Sequence, residues 1–114
     1  MSLKLSTRQV GEVTVVDADG RFTLGESAST FRDTIRDLVA AGHKKLLLNL
    51  AEVSYIDSSG IGEMVAAFTI LSAQGGVVKV IKLTKRVKDL LQITRQLSLF
   101  EVHEDEATAL ASFH

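Results

Sequence analysis

The residues best placed to do chemistry in this sequence are Asp57-Ser58-Ser59-Gly60-Ile61-Gly62. They follow a strand-like run, Lys45-Leu46-Leu47-Leu48-Asn49-Leu50. They open a helix-like period in which Ile61, Val65, Phe68, Leu71 and Ser72 recur at steps of three and four. The motif therefore falls where a strand hands over to a helix. Asp and Ser are strong N-cap residues, because their side-chain oxygens accept the free N–H groups of a first turn. The same terminus carries a partial positive charge and tolerates an anion such as a phosphate. Gly60 and Gly62 remove bulk, so a backbone or a partner can approach closely. On spacing alone, capping is the commoner role of serines such as Ser58 and Ser59.

Other chemistries fit poorly. Asp57 at a strand end would suit a phosphorylated receiver Asp, but a receiver needs an adjacent acidic pair after its first strand. Here only Asp17 and Asp19 are available, and they are not adjacent. A dinucleotide fingerprint starting at Gly60 would need Gly at position 65, which is Val65. Neither a phosphate-loop lysine motif nor a Gly-x-Ser-x-Gly elbow occurs. His43, His103 and His114 are far apart, and none adjoins a Ser-Asp pair. No cluster has metal-ligand spacing. With no general base paired with Ser58, the residues point away from an enzyme.

The elements that must position the motif alternate along the chain. Residues 2–7 and 13–18 read as two strands of a hairpin around Gln9-Val10-Gly11-Glu12, and Asp19-Gly20 reads as a turn. Residues 20–26 form a loop in which Thr23 and Glu26 have the spacing of a capping box. Ala28, Phe31, Ile35, Leu38 and Val39 mark the stripe of a helix that Gly42 ends, with His43 as a cation at its C-terminus. Residues 45–50 are apolar enough for a central strand covered on both faces. The motif helix runs to Gly75-Gly76, and Val77 to Leu83 forms the next strand. Thr84 caps a helix bearing Val87, Leu90 and Leu91. Leu99, Phe100 and Val102 suggest a short last strand, and Glu104-Asp105-Glu106 open a final helix bearing Ala107, Leu110 and Ala111.

The order ββαβαβαβα predicts an α/β fold, a mixed, mostly parallel sheet of about five strands with four helices. Sites in such sheets form outside the carboxyl ends of the strands. Both the 57–62 turn and the 20–26 loop lie at such ends, so they can share one surface.

Composition sets the frame. The 114 residues suit one domain spanning 1–114, without linker or repeat, and there is no cysteine. A formal net charge of -1 argues against a dedicated nucleic-acid binder. No basic leader and no apolar run of about 20 residues is present, so a soluble, cytoplasmic protein without membrane insertion is expected. Lys79, Lys82, Lys85, Arg86 and Lys88 form a basic run. It reads first as a solvated strand edge and helix start, with a surface for an anionic partner as the functional alternative, and Glu101, Glu104, Asp105 and Glu106 can offset it within the fold.

In order and spacing, the 57–62 motif, Leu48-Asn49-Leu50, the Gly75-Gly76 break and the Thr84 to Ile93 helix together resemble the STAS domain, over nearly the whole chain. The closest likeness is to its anti-sigma factor antagonists, or anti-anti-sigma factors. In that family the motif reads Asp-Ser-Ser/Thr-Gly-Leu/Ile-Gly, and the serine directly after the Asp is the phosphoacceptor. That position is Ser58. The resemblance implies that Asp57, Ser59, Gly60, Ile61 and Gly62, with Arg21 and Thr23 from the neighbouring loop, bind the partner. It implies a non-enzymatic protein without cofactor or metal. The partner would be an anti-sigma factor that is also a serine kinase, and binding it frees a sigma factor for transcription. Phosphorylation of Ser58 ends the binding and a serine phosphatase restores it.

One departure stands out. Phosphorylated members commonly carry Gly-Glu-Leu-Asp in the loop after the second strand, and here the residues are Gly20-Arg21-Phe22-Thr23. Arg21 reverses the charge of the usual Glu, and Thr23 stands where the acid would be. Two other STAS roles stay open: a constitutive subunit of a lipid-transport ATPase, and a module sensing a nucleotide or other ligand with a phosphate at the helix start.

Overall fold

Runs of β-branched and leucine residues build the strands of the computed structural model, which describes residues 3–113. The elements are β1 (Leu3–Val10), β2 (Val13–Phe22), α1 (Glu26–Ala40), β3 (Lys45–Ile56), α2 (Ser58–Ala73), β4 (Val77–Ile81), α3 (Lys85–Ile93), β5 (Glu101–His103) and α4 (Glu106–Ser112). A short 3₁₀ turn at Leu97–Leu99 leads into β5. The strands lie in one sheet in the order β1-β2-β3-β4-β5. The β1–β2 pair is antiparallel and the others are parallel. The expected class and element order hold.

Sequential strand order explains the layering. Right-handed crossovers between consecutive parallel strands put their helices on one face. Phe31 and Ile35 of α1, Met64 and Leu71 of α2, and Val87 and Leu91 of α3 accordingly share one core with Val16, Leu48 and Val80. The opposite face carries a smaller core in which Val13, Val15, Leu47 and Ile81 meet Ala109 of α4. Leu46, Leu47 and Leu48 are thus all buried because β3 is covered on both sides.

Several boundaries differ from expectation. The first strands run on to Val10 and Phe22, so the hairpin turn is only Gly11 and Glu12, with Gly11 at φ +61°. Asp19-Gly20 makes no turn. It lies within β2, where the pairing with β3 slips at two places, between Asp17 and Asp19 and between Gly20 and Arg21. These slips let β3 continue to Ile56 with Val53 and Ile56 still facing the core beside Leu50. Residue 2 of the first expected strand lies outside the described residues. The strand expected over 77–83 stops at Ile81, because Lys82 turns into φ +57°.

The helix faces shift as well. α2 buries Ile61, Met64, Ala67 and Leu71, while Val65 and Phe68 are half-buried and Ser72 is exposed. Phe68 instead packs its ring edge-to-face with Phe100 at 5.8 Å. In α4 the buried residue is Ala109, with Ala107 and Ala111 exposed. The expected capping box fails: α1 is capped at Gly25, whose φ of +98° suits glycine, and no side chain caps it. The glycine stops follow the reading, whereas the His43 ring turns to Thr14 at 3.0 Å instead of the helix end. Gly42 N–H donates to Val39 and His43 N–H to Leu38, the pairing of a Schellman motif. Gly75 and Gly76 close α2 the same way, onto Ser72 and Leu71.

Candidate functional site

The 57–62 turn begins where β3 ends. Phe22 and Ile56 are paired at the carboxyl ends of adjacent parallel strands, and Asp57 N–H donates to the Phe22 carbonyl at 3.2 Å. Asp57 is the N-cap of α2. Its Oδ1 accepts N–H bonds from Ser59 at 2.9 Å and Gly60 at 3.1 Å. Its Oδ2 accepts the N–H of Leu24 at 3.1 Å. One carboxylate therefore caps the helix and fastens the β2–α1 loop. Burial pushes the Asp57 carboxyl up, but the N–H groups of Leu24, Gly60 and Ser59 outweigh it and hold the group below the usual carboxylate range.

Gly60 is fixed by this closeness. A Cβ there would meet the Phe22 carbonyl oxygen and stand 2.7 Å from Ile56 Cγ1. At Gly62 a Cβ would meet nothing within 4 Å. The close approach expected of the two glycines is thus intramolecular at Gly60, while Gly62 opens to solvent.

The turn brings most of the candidate residues together and sorts them. Ser58, Gly62 and Arg21 are exposed. Asp57, Ser59 and Thr23 are half-buried, and Gly60 and Ile61 are buried. Because Asp57 does the capping, the Ser58 hydroxyl is left without a partner among the described residues. Ser59 serves through its N–H rather than its side chain. Thr23 contributes its carbonyl, which accepts the N–H of Ala28 at 3.2 Å. The side chain of Ser27, which the sequence did not single out, holds the loop by donating to the Arg21 carbonyl at 2.7 Å.

The amides of the first turn are largely spent on Asp57. Ser59 and Gly60 N–H face its carboxylate, and Ile61 N–H donates to its carbonyl. A free helix start holding a phosphate, one of the roles the sequence left open, is therefore not favoured by this turn, where the N-cap carboxylate already takes the amides of Ser59 and Gly60.

Beside Ser58 a groove of about 620 Å³ opens between the end of β3 and α3, with Tyr55, Arg86, Leu90 and Ile93 in its lining. The guanidinium carbons of Arg21 and Arg86 lie 4.6 and 4.2 Å from the Tyr55 ring centroid. Tyr55, Arg86, Leu24 and Ile93 were not singled out as site residues. For Arg86 the only signal was its place in the basic run. The structure divides that run: Lys79 is buried against Glu101 at 2.8 Å and Ser112, and Lys85 pairs with Asp89 at 2.7 Å.

Among the described residues no histidine bonds Ser58. His43 bonds Thr14 at 3.0 Å and His103 meets Glu101 at 2.6 Å. His114 lies outside the described residues. No cluster of three or more potential metal ligands occurs among the described residues, and none of their helices is long and apolar enough to cross a membrane.

Residues 4–109 match the family model of the STAS domain. The anti-sigma-B factor antagonist of Bacillus subtilis (strain 168) is 33% identical over 76 residues, 67% of this chain and 69% of that protein. Among solved structures, an anti-sigma factor antagonist from Mycobacterium paratuberculosis superposes with a TM-score of 0.84 at 20% identity, covering 97% of this chain and 93% of that one. The Bacillus cell-fate determinant SpoIIAA in its phosphorylated form gives a TM-score of 0.75 at 18% identity, covering 95% and 97%. At these identities the structural likeness establishes the fold, and the sequence matches establish the family.

Proposed function

This chain belongs to the STAS domain family, among its anti-sigma factor antagonists, and we propose that it is a partner-switching protein whose phosphoacceptor is Ser58. The observation that carries this reading is the state of the Ser58 hydroxyl. It is exposed, it is relieved of capping by Asp57, and it stands on a turn locked to the neighbouring loop. A kinase can reach such a hydroxyl without unfolding anything.

In this reading the unphosphorylated chain binds an anti-sigma factor that is itself a serine kinase, and binding frees the sigma factor. The protein is a regulator in the cytoplasm and the kinase's substrate; the kinase supplies nucleotide and base. Ser58, Gly62 and Arg21 touch the partner directly. Asp57, Ser59 and Thr23 border the contact, and the buried Gly60 and Ile61 set the shape of the turn beneath it. Phosphorylation adds about -1.5 to -2 charges at Ser58. With the turn amides already engaged by Asp57, little of that charge is neutralised by the helix start. A surface fitted to a neutral hydroxyl then meets repulsion and desolvation, and each 1.4 kcal/mol lost weakens binding about tenfold. A serine phosphatase resets the switch. No change of fold is required.

The test is a pull-down from the native host's lysate with wild type, Ser58→Ala and Ser58→Asp as baits. The expected result is an ATP-binding anti-sigma factor retained by the first two and released by the third. A transporter subunit retained equally by all three would overturn the reading.

A further inference from the structure

We propose that the groove between the start of α2 and α3 is a docking cleft for an acidic, apolar segment of a protein partner, its carboxylate taken by Arg21 and Arg86 and its apolar side chains by Leu24 and Ile93. This rests on the antagonist reading for the partner's identity and stands on separate observations for its chemistry.

The first observation is apolar. Leu24 and Ile93 are 78% and 77% exposed, whereas the other exposed large apolar residues lie between 38% and 41%. Both belong to the surface around Ser58. Leu24 is tied to Asp57 through its N–H, and Ile93 lines the groove together with Ser58. Arg86, Leu90 and Ile93 follow one another along α3 at steps of four and three, so they form one line on that helix. An amphipathic segment with apolar residues one turn apart matches such a line.

The second observation is charge. Arg21 pairs in register with Tyr55, and Arg86 approaches the same ring from the first turn of α3. Two guanidinium groups against one ring repel each other, and neither has a carboxylate partner among the described residues. The acids in the lining are engaged: Asp57 by backbone N–H groups and Asp89 by Lys85. The groove is therefore left with a positive balance, two guanidinium groups against the one carboxylate, Asp57, that no cation pairs, in the planar fork geometry that binds carboxylate. A free phosphate ligand fits less well, because the amides of the helix start are already used by Asp57 and would not add to its binding.

The cleft also explains how Ser58 controls it. A phosphate on Ser58 borders the same groove, repels the partner's acid and competes for Arg86.

The test places a photo-reactive benzoylphenylalanine at Leu24 or at Ile93 in the Ser58→Ala chain, cross-links in host lysate, and sequences the attached peptide. In parallel, binding of that synthetic peptide is measured for wild type, for Arg21→Glu with Arg86→Glu, and for Arg21→Lys with Arg86→Lys. We expect a peptide with Asp or Glu beside apolar residues, at least tenfold weaker binding by the Glu pair, and binding by the Lys pair between the two, because it keeps the charge but loses the planar fork. Affinity should also fall with added salt. A basic or uncharged peptide, equal binding by the Glu pair, or no cross-link from either position would overturn the cleft. An anti-sigma kinase captured by Ser58→Ala but never cross-linked here keeps the antagonist reading and sinks the cleft. An acidic segment from an unrelated protein, weakened by the Glu pair, does the reverse.

Discussion

Asp57 Oδ2 accepts the backbone N–H of Leu24 at 3.1 Å, across 33 residues of sequence, while Oδ1 caps α2. The site is therefore one rigid unit built from two loops, and its stability and its binding surface depend on the same carboxylate.

Replacing that carboxylate should show both dependences. Asp57→Ala loses a cap, at about 1 kcal/mol, and lowers the melting temperature by about 4 °C or more. Hydrogen exchange should quicken at Leu24, Ser59 and Gly60 together. Faster exchange at Ser59 and Gly60 alone would show that the loop is held by something other than Asp57. Because its folded pKa is lowered, Asp57 contributes its stability above the ordinary Asp value of about 3.9. That contribution drains away as pH falls through the lower folded value. The Asp57→Ala melting curve should therefore draw closer to wild type as pH falls below the ordinary Asp value.

The two glycines of the motif should behave oppositely. Gly60→Ala drives a Cβ into the Phe22 backbone, which cannot swing aside, and should cost about 1–3 kcal/mol. Gly62→Ala meets open space within a helix and should gain about 0.5–1 kcal/mol. Chemical denaturation of the two variants side by side decides it; similar midpoints would contradict the close packing at Gly60.

Ser58→Asp should separate folding from binding. The side chain is exposed at the first residue of α2, where Asp57 already takes the turn amides and the helix dipole adds at most about 0.3 kcal/mol for a second negative charge. The variant should melt at or slightly above wild type while binding the anti-sigma partner at least tenfold more weakly by calorimetry. A lowered melting temperature would mean that lost binding reports damage rather than charge.

Arg8 should act as a latch for α4. It donates to Asp17 at 2.7 Å and to Glu106 at 2.9 Å, joining β1, β2 and the helix start. The Arg8 hydrogen bond is the main cause holding both carboxyls below their usual range, with burial opposing it. Their contribution is thus complete above about pH 5 and is lost as pH falls below about 4. The groups are partly exposed, so Arg8→Ala should cost no more than about 1 kcal/mol globally. Amide exchange should nonetheless rise across Glu106–Ser112. Unchanged exchange there would leave Ala109 and Lys79 as the anchors of the helix.

The fold was legible because its signals are local and repeated. The leucines of 45–50, the period of 28–39, Thr84 as a cap and Gly42 and Gly75 as helix stops each act within one turn or strand. Where reading failed, a distant neighbour had overruled a local rule. Asp19-Gly20 has the composition of a turn but is paired with Glu52 and Val53 in β3, so it became an irregularity in a strand. Thr23 and Glu26 have capping spacing, yet the chain must leave β2 through Gly25 at positive φ. In α2 apolar residues occur nearly all round, so the sequence could not say which side α1 and the sheet would take.

By itself the sequence determined the strand–helix junction at Asp57, the parallel architecture around it and the family to which the chain belongs, because periodicity, caps and a contiguous motif are properties of neighbouring residues. Only the tertiary structure decided that Asp57 would consume the amides of the first turn and leave the Ser58 hydroxyl free. It alone brought Arg21, Tyr55 and Arg86 to one point and left Leu24 and Ile93 exposed beside them. Those facts depend on the slipped register of β2 on β3 and on the placement of α3, where residues dozens of positions apart meet and no local spacing records the meeting.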